Sequence, residues 1–210
     1  MTCQLYLITP PVFDPQTFLP ILIKALDAGE VACVQLRLKT ADGAPAPQDH
    51  VRAAALTLMA EVQARDVAFI INDDAELAGE LGADGVHIGQ KDISIKEARM
   101  IVGRDAIIGV TCHDSRHLAI EASEAGADYV AFGAFYPTTT KKAKSHPDPE
   151  LLEIWSTTTN VPCVAIGGIN LENAPTLIEA GADFIAVVSS VWDHPQGPAQ
   201  AVAEFKALMD

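Results

Sequence analysis

One phrase recurs along this chain. "LGADGVHIG" (81–89), "AGADYVAFG" (125–133) and "AGADFIAVV" (180–188) are close copies, and "AGEVACVQL" (28–36) is a looser fourth. Each ends a helical stretch on glycine, turns, and enters a short apolar run, the pattern of a capped helix feeding a strand. Strands are expected at 4–9, 31–37, 67–72, 85–89, 106–111, 129–133, 163–168 and 184–189, so the copies precede strands two, four, six and eight. Between the strands lie stretches such as "QDHVRAAALTLMAEVQAR" and "SRHLAIEASEAG", with apolar residues three and four apart. Strand–helix alternation implies parallel strands under helices, and nearly continuous apolar strands imply that both faces are covered. Eight units with a two-unit repeat in 210 residues predict α/β architecture, a single (β/α)8 TIM barrel over 1–210. Count and repeat weigh against the alternative, a doubly wound sheet.

Charge and cysteine usage bound the function. The formal net charge is −14, from 28 acidic against 14 basic residues. That balance argues against nucleic acid or an anionic membrane as partner, so any positive site must be local. Cys3, Cys33, Cys112 and Cys163 are scattered singly, without the spacing of a zinc or redox motif, as suits a reducing cytoplasm. The N-terminus "MTCQLYLITPP" lacks a basic region and a long apolar core, so no signal peptide is expected. No apolar run reaches membrane-spanning length.

Chemistry in such a barrel gathers at the C-terminal ends of the strands. Strand two ends Gln35-Leu36-Arg37-Leu38-Lys39, and alternation puts Gln35, Arg37 and Lys39 on one face as an anion clamp; the bland reading is a solvated charged end. Strand three ends Asn72-Asp73-Asp74, and Asp92 follows strand four. Carboxylates at neighbouring strand ends suit Mg2+, although Asp73 or Asp74 is equally expected to cap the next helix. Strand five ends Thr111-Cys112-His113, where neighbours on a strand face opposite ways, so a Cys–His nucleophile pair is disfavoured and Thr111 is expected as a hydroxyl donor. His87 in strand four is expected as a hydrogen-bonded core histidine.

The loop after strand six offers Thr138, Thr139, Thr140 and Lys141, hydroxyls running into a cation. Gly167-Gly168 after strand seven and Ser189-Ser190 after strand eight fit the barrel's common phosphate site, where bare backbone approaches an anion. The mouth thus divides into a monophosphate half and a half suited to a metal-bound diphosphate.

Taken in order, "QLRLK", "INDDAEL", "GADGVHIGQKD", "IIGVTCHDS", "GADYVAFGAFYPTTTK", "PCVAIGGI" and "GADFIAVVSSV" closely resemble the thiamine-phosphate synthase (thiamine-phosphate pyrophosphorylase) family. The resemblance runs from strand one to strand eight. It implies a transferase that joins 4-amino-5-hydroxymethyl-2-methylpyrimidine diphosphate to a thiazole phosphate, the carboxylated thiazole included, and releases diphosphate and thiamine phosphate. By residue, it implies diphosphate contacts at Gln35, Arg37, Lys39, Asn72 and Lys141, and Mg2+ ligands at Asp73 and Asp92. It also implies a thiazole-phosphate site at Thr138, Thr140, Gly168 and Ser189, with Thr111 where the family usually has a serine near the diphosphate. A homodimer is a further implication. Leu38 stands where the family usually has an acidic residue, and alternation turns it away from the clamp. A thiazole tautomerase on the same barrel lacks diphosphate chemistry, so Arg37, Lys39, Asp73, Asp92 and Lys141 weigh against it. A noncatalytic thiamine-pathway sensor keeping the pocket is the other alternative.

Overall fold

The computed structural model describes residues 3–138 and 146–209. Eight parallel strands pair in chain order and close on themselves: β1 (Gln4–Ile8), β2 (Val31–Leu36), β3 (Ala68–Asn72), β4 (Gly85–Ile88), β5 (Ile107–His113), β6 (Tyr129–Gly133), β7 (Cys163–Ile166) and β8 (Phe184–Val187). A doubly wound sheet has two edges and this one has none, so the barrel expectation holds. The crossover helices are α1 (Pro15–Leu26), α2 (Gln48–Gln63), α3 (Ala75–Leu81), α4 (Ile95–Val102), α5 (Arg116–Glu124), α6 (Glu150–Thr158) and α7 (Ala174–Glu179). A short α8 (Ser189–Trp192) and α9 (Pro198–Met209) follow β8. Among the described residues no helix is long and apolar enough to cross a membrane.

Alternation divides the core in two. In β1, Leu5 and Leu7 join the large cluster under the helices, while Tyr6 and Ile8 join the cluster that fills the barrel. Both faces of the strands are thus buried, which is why they read as unbroken apolar runs.

The sequence repeat has one mechanical job. Its glycines Gly82, Gly126 and Gly181 take positive φ of 70°, 94° and 96°, turning the chain out of the helix. Its aspartates then reach sideways to the start of the preceding strand. Asp84 Oδ2 accepts from Phe69 N at 2.7 Å, Asp128 Oδ2 from Ile108 N at 2.7 Å, and Asp183 Oδ2 from Cys163 N at 2.8 Å. Each copy therefore fastens a pair of strands at the N-terminal end of the barrel, the end opposite the chemistry. In the looser copy Glu30 instead pairs with Lys206 of α9 at 3.6 Å.

Three strand ends differ from the expected bounds by two residues, and those of β1, β2 and β4 by one. β7 stops at Ile166 because Gly167 and Gly168 both adopt positive φ, 102° and 66°, which an extended ladder cannot continue. β8 stops at Val187, and the chain turns at Val188 into α8. β5 runs on to His113, its pairing with β6 shifting register between Thr111 and His113.

Candidate active site

The C-terminal mouth of the barrel opens into a pocket that gathers the polar residues singled out from the strand ends. Gln35, Arg37, Asn72, Thr111, Thr138, Gly168 and Ser189 all line it, as do the apolar side chains of Ile8, Ile166 and Ile169. Lys39 does not. β2 ends at Leu36, so strand alternation does not carry through to Lys39, which bridges to Pro45 and lines a neighbouring groove with Asp73 and Asp74. The expectation that Gln35, Arg37 and Lys39 share one face is corrected to this extent. Lys39 still feels Arg37, Asp73 and Asp92: its pKa is lowered, by burial first and by the Arg37 charge next, with the two aspartates opposing. Burial likewise lowers the Arg37 guanidinium, again against Asp73. Leu38 packs against the core under the helices and lines the same groove as Lys39.

Thr9 fixes the backbone at Arg37. It is 1% exposed, and its hydroxyl oxygen accepts from Arg37 N at 3.0 Å, tying the end of β2 to that of β1. On the other side of β1, Trp192 Nε1 of α8 donates to Ile8 O at 2.6 Å, and its ring meets Phe18 of α1 edge-on at 4.9 Å. The helix that begins with Ser189 is anchored to the first strand by this bond.

The two acidic candidates are separated by role. Asp74 caps α3, its Oδ1 accepting from Leu77 N at 2.9 Å. Asp73 does not cap. At the rim, with φ 65°, its carboxyl has a raised pKa, from burial first and from the nearby Asp92 charge next, with the Lys39 charge opposing. Asp92 Oδ2 accepts from Gly89 N at 2.7 Å. Two carboxyls at the ends of β3 and β4 thus feel each other's charge.

On the opposite rim the backbone comes close. A Cβ at Gly168 would stand 2.4 Å from Pro137 O, and one at Gly167 would stand 2.2 Å from Ala134 Cβ. Both positions have positive φ, so only glycine fits. Thr139, Thr140, Lys141, Lys142 and Lys144 lie outside the described residues.

The disfavoured thiol is out of reach. Cys112 is fully buried on the helix-facing side of β5 and burial pushes its pKa up to about 12. Thr111 and His113 point the other way and both line the pocket. His113 went unassigned in the sequence, although the period-two rule that placed Thr111 also places it. His87 lies in the barrel interior at 8% exposure, its Nδ1 2.9 Å from Tyr129 Oη and its Nε2 2.7 Å from Thr111 Oγ1. From there the contacts continue: Tyr129 Oη lies 2.8 Å from Tyr6 Oη, Tyr6 Oη donates to Gln35 Oε1 at 3.3 Å, and Gln35 Nε2 donates to Asn72 Oδ1 at 2.8 Å. Neither tyrosine was legible as part of the site, because each reads as one more apolar strand residue.

Known proteins resemble this chain along its length. A family model described as thiamine monophosphate synthase matches residues 5–191. A thiamine-phosphate synthase of Rhodospirillum centenum is 61% identical over 207 residues, covering 99% of this chain and 98% of that protein. Another, of Hyphomonas neptunium, is 54% identical over 209 residues, covering 99% and 94%. The solved structure of a thiamine phosphate pyrophosphorylase from Pyrococcus furiosus superposes with a TM-score of 0.82 at 29% identity, covering 98% of this chain and 95% of that one.

Proposed function

This chain belongs to the thiamine monophosphate synthase family, enzymes of the transferase class, and on that premise we propose how its own residues carry the reaction. The substrates are the aminopyrimidine diphosphate and the thiazole phosphate, in its carboxylated or decarboxylated form. The whole 210-residue chain acts as one barrel domain. The observation that carries the reading is the division of the mouth. A half-buried Arg37, with Lys39 beside it, faces the Asp73–Asp92 pair on one rim. Glycine backbone and Ser189 line the other rim.

Arg37, Lys39 and Lys141 bind the diphosphate and stabilise the charge that grows on it as its C–O bond breaks, with Gln35, Asn72 and Thr111 orienting that half of the substrate. The electron-rich aminopyrimidine carries the resulting positive charge on its exocyclic carbon. Thr138, Thr140, Gly168 and Ser189 hold the thiazole phosphate so that the ring nitrogen faces that carbon. The nitrogen lone pair forms the new C–N bond. It carries no proton to remove, so no general base is needed, in keeping with the burial of Cys112 away from the pocket.

Asp73 and Asp92 suit Mg2+: both are oxygen donors at neighbouring strand ends, and the Asp92 charge adds to burial in raising the Asp73 pKa. Mg2+ bound there supplies Lewis-acid neutralisation of the leaving diphosphate. A cytoplasmic location accords with four free, buried cysteines. A homodimer accords with exposed Met100, Ile101 and Ile120 on α4 and α5, and sedimentation of the purified protein checks it.

The deciding experiment is turnover with the pyrimidine diphosphate, the thiazole phosphate and Mg2+. Formation of thiamine phosphate in step with diphosphate is expected. Binding of both substrates without product would overturn the proposal in favour of a sensor.

A further inference from the structure

The barrel interior holds an unbroken line of polar contacts from Thr111 through His87, Tyr129, Tyr6 and Gln35 to Asn72, and both ends line the same pocket. We propose that this line has one fixed direction, so that Thr111 meets the pocket as a hydrogen-bond acceptor, and that Tyr129 is the positioning residue that keeps it so. The inference rests on the preceding reading only for the identity of the ligand that meets Thr111.

The direction follows from counting protons. At one end the Asn72 amide turns its Oδ1 toward Gln35. Gln35 Nε2 donates to that oxygen, which leaves Gln35 Oε1 to accept from Tyr6. A phenol has one proton. With that of Tyr6 given to Gln35, the 2.8 Å contact between the tyrosines is closed by the proton of Tyr129. Tyr129 Oη must then accept from His87 Nδ1, and with His87 neutral, as the proposal takes it to be, Nε2 carries no proton. The 2.7 Å contact at Nε2 is therefore closed by the hydroxyl proton of Thr111. Burial pushes the pKa of both tyrosines well above the ordinary phenol value, so each keeps the single proton that the count requires.

The Thr111 proton thus points inward, and its lone pairs remain for the pocket. This reverses the sequence expectation of a hydroxyl donor. A phosphate oxygen, itself only an acceptor, reaches Thr111 only through an intervening donor, so the ligand atom that meets it directly is an N–H or O–H donor. Tyr129 occupies the middle of the line, where one oxygen serves both neighbours. Its place is built into the fold: a Cβ at Gly109 would stand 1.9 Å from Tyr129 Cζ, so the missing side chain on β5 makes room for the ring.

The test uses full-length protein with 15N-labelled histidine. The His87 signal, assigned by its loss in His87→Gln, is expected to show a protonated Nδ1 and a bare Nε2 at neutral pH. A proton on Nε2 would overturn the proposal. Tyr129→Phe is expected to shift the His87 tautomer and lower kcat/KM for the pyrimidine diphosphate about tenfold, one hydrogen bond's worth. The same variant should leave KM for the thiazole phosphate within about twofold. An unchanged tautomer with unchanged kinetics, or an equal loss toward both substrates, would sink it. Should Tyr129→Phe fail to fold, Tyr6→Phe breaks the same line one link away and carries the same two readouts. If the wild-type protein turns over neither substrate, the functional reading fails while the tautomer still decides the direction.

Discussion

Cys112 and His113 are chain neighbours that a motif search would pair as nucleophile and base, and the strand turns them to opposite sides. Replacing Cys112 with Ala should leave kcat within about twofold, because the thiol touches no substrate and the lost volume is small. A tenfold drop in steady-state turnover would reinstate it as a participant. Asp73 and Asp92 are the reverse case, residues whose proximity costs stability. The raised pKa of Asp73 means that the folded protein keeps a proton the unfolded chain has lost. Stability from this group is therefore present at acid pH and falls as pH rises through the interval between its unfolded and folded values. Asp92→Asn removes the like charge, so in chelator at pH 7 its Tm should exceed that of the wild type, and the gain should shrink near pH 4. Activity should fall sharply in the same variant. A variant that is both less stable at pH 7 and fully active would show that the pair neither repels nor binds metal.

At the scale of elements, the two ends of the strands do different work, and substitutions should separate them. Asp183 fastens β7 to β8 at the closed end by accepting from Cys163 N. Asp183→Ala leaves that buried N–H without its side-chain acceptor, a cost of about 1–3 kcal/mol in chemical denaturation, with kcat per folded molecule unchanged. Trp192 anchors α8 at the open end through Ile8 O. Trp192→Phe keeps the packing on Phe18 but loses the bond, and should raise KM for the thiazole phosphate because Ser189 begins that helix. Equal effects of Asp183→Ala and Trp192→Phe on KM would show that the division between stability and site is wrong. The largest departures from the expected element bounds fall at this open end. There, successive left-handed glycines, a register shift and a short helix replace regular ladder, and local propensity is silent about all three.

For the whole molecule, the proposed reaction asks a protein of net charge −14 to admit two anionic substrates, so on that proposal the local cations at the mouth matter beyond their contacts. Lys141→Met should lower kcat by ~10²–10³ if it stabilises the leaving diphosphate as other preorganised donors do. Lys142→Met with Lys144→Met should act mainly on kcat/KM, the effect fading as salt screens it over a Debye length of about 8–10 Å. Equal, small effects from both would make the three lysines a solvated loop. The chain by itself determined the barrel, the number of its strands and most of the residues at its mouth. Those properties are written in local terms: a repeat that turns helix into strand, apolar runs buried on both faces, and polar residues at strand ends. Only the tertiary structure decided that Lys39 leaves the face of Gln35 and Arg37, and that Asp74 caps a helix while Asp73 meets Asp92. It also decided that Tyr6, Tyr129 and His87 join Gln35 to Thr111 across the interior. These are contacts between residues far apart in the chain, up to 123 positions for the two tyrosines, and closing the barrel is what brings them within hydrogen-bond reach.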